Sequence, residues 1–273
     1  MIIDPDKVAN VITEIAEEEI ASRFGKLTPD QISEKSSPTD LVTEVDVAME
    51  RKLEKALADI YPAATMIGEE RATADPTSVD ALAGEGAFWI VDPLDGTRNF
   101  VHGVEQFGTI VALVENGQTT MGWIYAVPEK KIAIAVRGDG ASWSGERIVP
   151  AARRGEKAVG WRSIGWLSPE WRSRILPNLK EKLETSSGHC SAYGYLHTAL
   201  GEIDFKISSR IYPWDHAAGV LLVAETGGTS GYLDDNGPYL PKPWADRPLL
   251  VTAAGRDWRR IADVIRDGCA KPL

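Results

Sequence analysis

The sequence predicts an α/β protein built in packed layers, and three observations carry that prediction. Up to about residue 145, two stretches of helical hydrophobic period are followed by apolar runs of strand length separated by turn signals. Beyond it, strand-like and helix-like segments alternate, the pattern of an α/β layer. No internal repeat, low-complexity segment or obvious linker divides the chain, so an α+β part (1–145) and an α/β part (146–273) are expected to share an interface. At about 150 residues per domain, 273 residues suit one large or two modest domains.

Val8, Val11, Ile12, Ile15, Ile20 and Phe24 recur at helical spacing behind Asp4-Pro5, predicting an amphipathic helix that Gly25 ends. The polar, Pro-punctuated SEKSSPTD at 33–40 reads as a loop. A second helix is expected from Thr43 to Ile60 with Val47, Leu53, Leu57 and Ile60 inward. TMIG at 65–68 and FWIVD at 88–92 read as strands that end in acids, Glu69-Glu70 and Asp92. Asn116-Gly117 joins 109–114 to 120–127 as a tight hairpin, and 131–136 adds a strand before the Gly-rich 138–145. The first part is therefore helices on a largely antiparallel sheet. In the second, strands are expected near 158–164, 203–207 and 249–253, and helices near 169–179, 192–200, 215–226 and 257–265.

Composition narrows the function. Forty acids against thirty Lys and Arg give a net charge of −10, with no basic run, which argues against direct nucleic-acid binding. The longest uninterrupted apolar run, about Ala217 to Ala224, falls short of the roughly 18 residues of a membrane helix. The first 20 residues have acids where a secretory signal has a basic n-region, so a cytoplasmic location is expected. Cys190 and Cys269 make neither a disulfide framework nor a zinc motif and are expected as reduced thiols.

The informative segment is WIVDPLDGTRNF at 89–100. An apolar strand ends at Asp92, Pro93 fixes the turn, and Asp95 follows with Gly96 and Thr97 opening a helix. Two carboxylates leaving one turn can bind hard cations while the Gly96 and Thr97 amides face an anion. The same residues also suit plain turn chemistry and an N-cap. Gly68-Glu69-Glu70 and Pro213-Trp214-Asp215 place further acids at element ends, each with its own structural role as loop acid or N-cap. The four His lack HExxH spacing, and His216 reads as packing at a helix start. GxxxxGK, GxGxxG before a helix and GxSxG are missing.

In that order and at those separations, GEE, DPLDGTRNFVHG and WDHAAG closely resemble the inositol monophosphatase family, and KSSPTDLVTEVD at 35–46 fits too, so the resemblance covers nearly the whole chain. It implies the layered α-β-α-β-α sandwich of the inositol monophosphatase/fructose-1,6-bisphosphatase type. It also implies a Mg²⁺-dependent, lithium-sensitive phosphomonoesterase holding two or three ions, with Mn²⁺ able to substitute. Carried over by position, Glu69, Asp92 and the Leu94 carbonyl would hold a first metal, and Asp92, Asp95 and Asp215 a second. Thr97, beside Glu69, would orient the attacking water and help remove its proton, and Asp46 would support Thr97 or contact a weaker metal. Asp46 stands three residues after Thr43, so it also suits a capping box. Gly96, Thr97, Lys35, Ser191 and Ala192 would lie on the phosphate and substrate side. Relatives commonly form homodimers.

The chain departs from the family at its substrate wall. Cys190-Ser191-Ala192-Tyr193 stands where the family has Gly-Ser/Thr-Ala-Ala, and FKISSRIYPWD at 205–215 lacks the acid that binds an inositol hydroxyl, offering Lys206, Ser208 and Arg210 as a basic wall. Inositol 1-phosphate is the default substrate, with fructose 1,6-bisphosphate, histidinol phosphate and a 3'-phosphonucleotide as alternatives. LDGT superficially resembles the DxDGT of aspartyl-phosphate phosphatases, but Pro93 and the three-residue spacing of Asp92 and Asp95 oppose that chemistry. A rival of another class is a regulatory protein associating with the transcription machinery.

Overall fold

The computed structural model describes residues 3–37, 40–151, 157–243 and 246–267, the side chains of 34–37 and 40 excepted. Helix α1 (Pro5–Glu19) starts where expected: Asp4 Oδ1 accepts the Asp6 amide at 3.0 Å and Pro5 occupies the first turn. It ends one turn earlier than the apolar period, which a 3-10 turn at Ala21–Arg23 continues. The segment read as a loop is instead an antiparallel ribbon, β1 (Ile32–Ser37) against β2 (Asp40–Thr43), in register from Ile32↔Thr43 to Ser37↔Asp40. Main-chain pairing needs no apolar alternation, so polar composition concealed it.

Helix α2 (Glu44–Ile60) buries Val45, Asp46, Met49, Glu50, Leu53 and Leu57. Val47, expected inward, is 56% exposed because it lies about 200° around the helix from both Val45 and Met49. Strand β3 (Ala64–Gly68) runs into α3 (Glu69–Ala74), and β4 (Ala87–Asp95) into the single turn α4 (Thr97–Val101). The meander β5 (Gly108–Glu115), β6 (Gln118–Ala126), β7 (Lys131–Val136), β8 (Gly140–Trp143) and β9 (Glu146–Arg147) completes a seven-stranded sheet in chain order, antiparallel except for β3 beside β4. Asn116 and Gly117, at φ 51° and 74°, make the predicted β5–β6 turn.

The second half follows as β10 (Val159–Ser163), α5 (Pro169–Glu181), β11 (Glu184–Ser187), α6 (Ser191–Ala199), β12 (Phe205–Ser208), α7 (Pro213–Glu225), β13 (Thr229–Tyr232), β14 (Leu249–Thr252) and α8 (Trp258–Asp267). Its five strands form a mixed sheet ordered β11-β10-β12-β14-β13. The short strands β8, β9, β11 and β13, the last three at sheet edges, had no apolar run to announce them.

Period-2 alternation explains the stacking. Along β4, Trp89 and Val91 face α1 and α2, while Phe88 and Ile90 face α6 and α7. Helices α6 and α7 also cover one face of the five-stranded sheet, whose other face packs Phe205, Ile207 and Leu250 against α5 and α8. The layers are therefore α-β-α-β-α, and the central core joins side chains from Ile67 to Val251. Among the described residues no helix is long and apolar enough to cross a membrane.

Candidate active site

The site begins with a defect in β4. Asp92 pairs opposite Ile110 and Asp95 opposite Gly108, so three steps on β4 match two on β5. Strict alternation would point Asp92 and Asp95 to opposite faces, and the extra residue returns both to the α6/α7 side, with Val91 and Leu94 in the α1/α2 core. Pro93 suits the bulge because it has no N–H to lose, and its carbonyl accepts the Thr109 hydroxyl at 2.9 Å. Gly96 follows at φ 84°, where a Cβ would lie 2.9 Å from the Gln106 carbonyl, so the turn into α4 requires glycine.

Two other element ends meet this bulge. Gly68 pairs with Val91, which brings Glu69, the first residue of α3, level with Asp92. Asp215 sits in the first turn of α7, where the helix dipole favours an anion. One carboxylate oxygen from each of Asp92, Asp95 and Asp215 lies within 4.8 Å of the others, and Asp92 is within hydrogen-bonding reach of Glu69 and Asp215. A cavity of about 150 Å³ is walled by Glu69, Asp92, Asp95 and Asp215 together with Leu94, Gly96 and Thr97.

Burial, then the charges of Glu69, Asp95 and Asp215, pushes the Asp92 carboxyl well above the usual range. Burial, then Asp95 and Glu69, does the same to Asp215. Asp95 is raised less, since the Cys190 thiol (2.8 Å) and the Ala192 amide (2.6 Å) both donate to its Oδ2. Asp92 Oδ1 is buried without a hydrogen-bond partner. Oxygen donors packed this closely, one with an unused lone pair, fit hard divalent cations.

Behind the cavity, Asp46 is fully buried and acts in two directions. Its Oδ2 accepts the Thr43 amide (2.8 Å) and hydroxyl (2.6 Å), closing the capping box of α2, while Oδ1 lies 3.1 Å from Thr97 Oγ1. Thr97 Oγ1 also lies 2.8 Å from the Leu94 carbonyl. Ser191 lines the adjoining cavities, whereas the Ala192 amide is turned to Asp95. The side chain of Lys35 lies outside the described residues.

Several contributors were not anticipated. Glu50 accepts the Glu70 (2.7 Å) and Arg71 (3.0 Å) amides, fixing the start of α3, and a Cβ at Gly68 would strike its carboxyl. An acid one turn after Asp46 on the inward face of α2 was the available signal. Cys190, whose thiol burial and Asp95 push well up, stays a donor to that carboxylate. The basic wall is corrected: Lys206 and Ser208 are buried, joined Nζ to Oγ at 2.5 Å, with the ammonium 4.6 Å from the Tyr195 ring centre. Lys206 turns inward because β12 is covered on both faces and Gly194 leaves room for its stem. Burial brings its pKa down to about 8, opposed by Asp215 and Asp95, so it is a cation set into the acid cluster. Ser208 and Arg210 both line the cavity beside Glu69 and Asp215, and Lys206 lines the adjoining one beside Asp95. His216 is packing, held between the Tyr195 hydroxyl (2.6 Å) and the Arg210 carbonyl (3.0 Å).

An acid cluster of hard-cation type at the junction of two sheets, inside an α-β-α-β-α sandwich, defines a phosphatase of the metal-dependent class. Comparison with known proteins agrees. The model of the inositol monophosphatase family matches residues 4–266. An inositol-1-monophosphatase of Bacillus subtilis is 33% identical over 80% of this chain and 84% of its own. A fructose-1,6-bisphosphatase/inositol-1-monophosphatase of Thermotoga maritima is 30% identical over 73% of this chain and 74% of its own. In fold, the crystal structure of the extragenic suppressor protein suhB from Bartonella henselae superposes with a TM-score of 0.79, covering 96% of this chain and 99% of that one at 24% identity. The chain belongs to the inositol monophosphatase family and is a hydrolase of phosphate monoesters.

Proposed function

We propose that this chain is a Mg²⁺-dependent phosphomonoesterase acting on a small phosphorylated polyol or sugar, inositol 1-phosphate by default, at the junction of residues 1–145 and 146–273. The observation that carries the reading is the meeting of Asp92, Asp95 and Asp215 within 4.8 Å, with Asp92 Oδ1 buried and unpartnered. Glu69, Asp92 and the Leu94 carbonyl would hold one Mg²⁺, and Asp92, Asp95 and Asp215 another. When bound, such ions neutralise phosphoryl charge and acidify water.

The chain's own groups do the rest. Thr97 Oγ1, fixed between Asp46 Oδ1 and the Leu94 carbonyl, orients the attacking water, and its link to Asp46 gives the released proton an acceptor. The amides of Gly96 and Thr97, at a helix start with no intrahelical partner, hold phosphate oxygens. Asp95, clamped by the Cys190 thiol and Ala192 amide, keeps its other oxygen aimed at the cavity. The B. subtilis relative's name supports the inositol ester, and the T. maritima name supports testing a sugar bisphosphate. Lithium sensitivity and a homodimer belong to the same proposal.

The test is phosphate release from inositol 1-phosphate with and without Mg²⁺. Stimulation by the ion and a loss of at least about 100-fold in Glu69→Gln are expected. Undiminished release in that variant would remove Glu69 from its role.

A further inference from the structure

Hydrolysis of an alkyl phosphate moves two protons. Thr97 and Asp46 take one from the attacking water. The departing alkoxide of a polyol is a strong base, and it leaves readily only when it is protonated as the ester bond breaks.

Three cavities of about 150, 290 and 450 Å³ adjoin through shared walls and lead outward from the acid cluster. Arg98 and His189 border all three, whereas Thr97 borders only the innermost. In-line displacement puts the entering and leaving oxygens on opposite sides of phosphorus. An ester attacked from the Thr97 side therefore sends its leaving group past Arg98 and His189. Of these two, a guanidinium keeps its proton in proteins, while an imidazolium gives one up near neutral pH.

His189 is also the histidine that the fold leaves unengaged. His102 Nδ1 lies 2.7 Å from the Arg98 carbonyl, His197 meets Glu202, and His216 is enclosed between Tyr195 and the Arg210 carbonyl. Among the described residues no hydrogen bond or ion pair engages His189, which is exposed. Its place in the chain is fixed on both sides. The Gly188 amide donates to the Arg162 carbonyl at 3.2 Å, and the Cys190 thiol and Ala192 amide grip Asp95. The end of β10 and the bulge of β4 thus hold the backbone around His189 at the mouth of the site, and such pre-set placement favours proton transfer.

We propose that His189 is the catalytic acid of this chain's reaction, protonating the leaving-group oxygen of the ester. As the water oxygen bonds to phosphorus, the bond from phosphorus to the ester oxygen breaks and its electron pair stays on that oxygen. The imidazolium proton passes to the same oxygen, which releases a neutral alcohol and leaves a neutral imidazole. Solvent then returns a proton to the ring. The inference rests on the phosphomonoesterase reading and adds to it the residue that handles the leaving group.

The test sets esters that need this proton against one that does not. Inositol 1-phosphate and glycerol 2-phosphate release alkoxides, whereas 4-nitrophenyl phosphate releases a phenolate that is stable without a proton. With Mg²⁺, His189→Gln is expected to slow single-turnover hydrolysis of the alkyl esters roughly 100-fold and to change that of 4-nitrophenyl phosphate by less than about threefold. His189→Asn is expected to show the same contrast, since neither amide has a proton to give. His189 is exposed, so neither variant disturbs the core, and the Mg²⁺ affinity of both by calorimetry is expected to match wild type. Equal slowing of all three esters, slowing of none, or weakened Mg²⁺ binding overturns the inference while leaving the phosphomonoesterase reading in place. A wild type that hydrolyses no alkyl ester fails that reading itself, and the inference with it.

Discussion

Without metal, the carboxylate cluster should burden the fold, and Asp92→Asn should relieve it. At an effective dielectric constant near 20, two carboxylates 4.8 Å apart repel by about 3.5 kcal/mol. Protonation of one member caps the cost near one such pair, so the isosteric amide is expected to stabilise metal-free protein by about 2–3 kcal/mol, or roughly 4–5 °C in Tm for a chain of this length. The pH dependence has a definite sign. The folded carboxyls of Asp92, Asp95 and Asp215 titrate above their ordinary value of 3.8, so the native state holds more protons than the unfolded chain over that window. Their contribution is present below 3.8 and is lost as pH rises through the raised folded values; Asp92→Asn loses less over the same range. Mg²⁺ at about a thousandfold excess over Kd reverses the order, because wild type then gains about 4.1 kcal/mol and the variant far less. Calorimetric melts from pH 4 to 8, with chelator and with Mg²⁺, test this. A lower Tm for chelated Asp92→Asn, or a wild-type Tm indifferent to Mg²⁺, would refute the reasoning.

Other expectations follow from neighbouring contacts. Gly68→Ala should drive Glu50 off the amides of Glu70 and Arg71, costing about 1–3 kcal/mol and displacing Glu69; a urea midpoint and a Mg²⁺ titration read both effects. Asp46→Ala should cost about 1 kcal/mol through the lost α2 cap and slow phosphate release by at least tenfold through Thr97, so a variant that melts early but turns over normally would leave Asp46 a cap alone. Lys206→Met should remove the internal cation beside Asp95 and Asp215, lowering metal-free stability while raising Mg²⁺ affinity several-fold by calorimetry; weaker Mg²⁺ binding would contradict that placement.

The long helices, the apolar strands and the motifs carrying Glu69, Asp92, Asp95 and Asp215 were legible from period and order along the chain, because they are local patterns, whereas the short α3 was not. The edge strands β9, β11 and β13 were not, since a strand that pairs on one side and buries little needs no apolar signature, and the short β8 beside β9 escaped with them. The ribbon of β1 and β2 escaped for the same reason, and Val47 was misplaced because a single apolar residue does not fix the phase of a helix.

What tertiary structure alone decided is where those side chains point. The bulge that brings Asp92 and Asp95 to one face exists only because β5 supplies a partner with one residue fewer. The clamp on Asp95 comes from Cys190 and Ala192, the latter 97 residues further along the chain. Lys206 belongs to the acid cluster because α6 and the sheet around β12 enclose it, although its sequence neighbours Ser208 and Arg210 suggested a surface. Sequence thus determines which groups are available and which elements carry them. Burial, the face a strand presents and the proximity of distant charges are long-range quantities, fixed only when the layers pack.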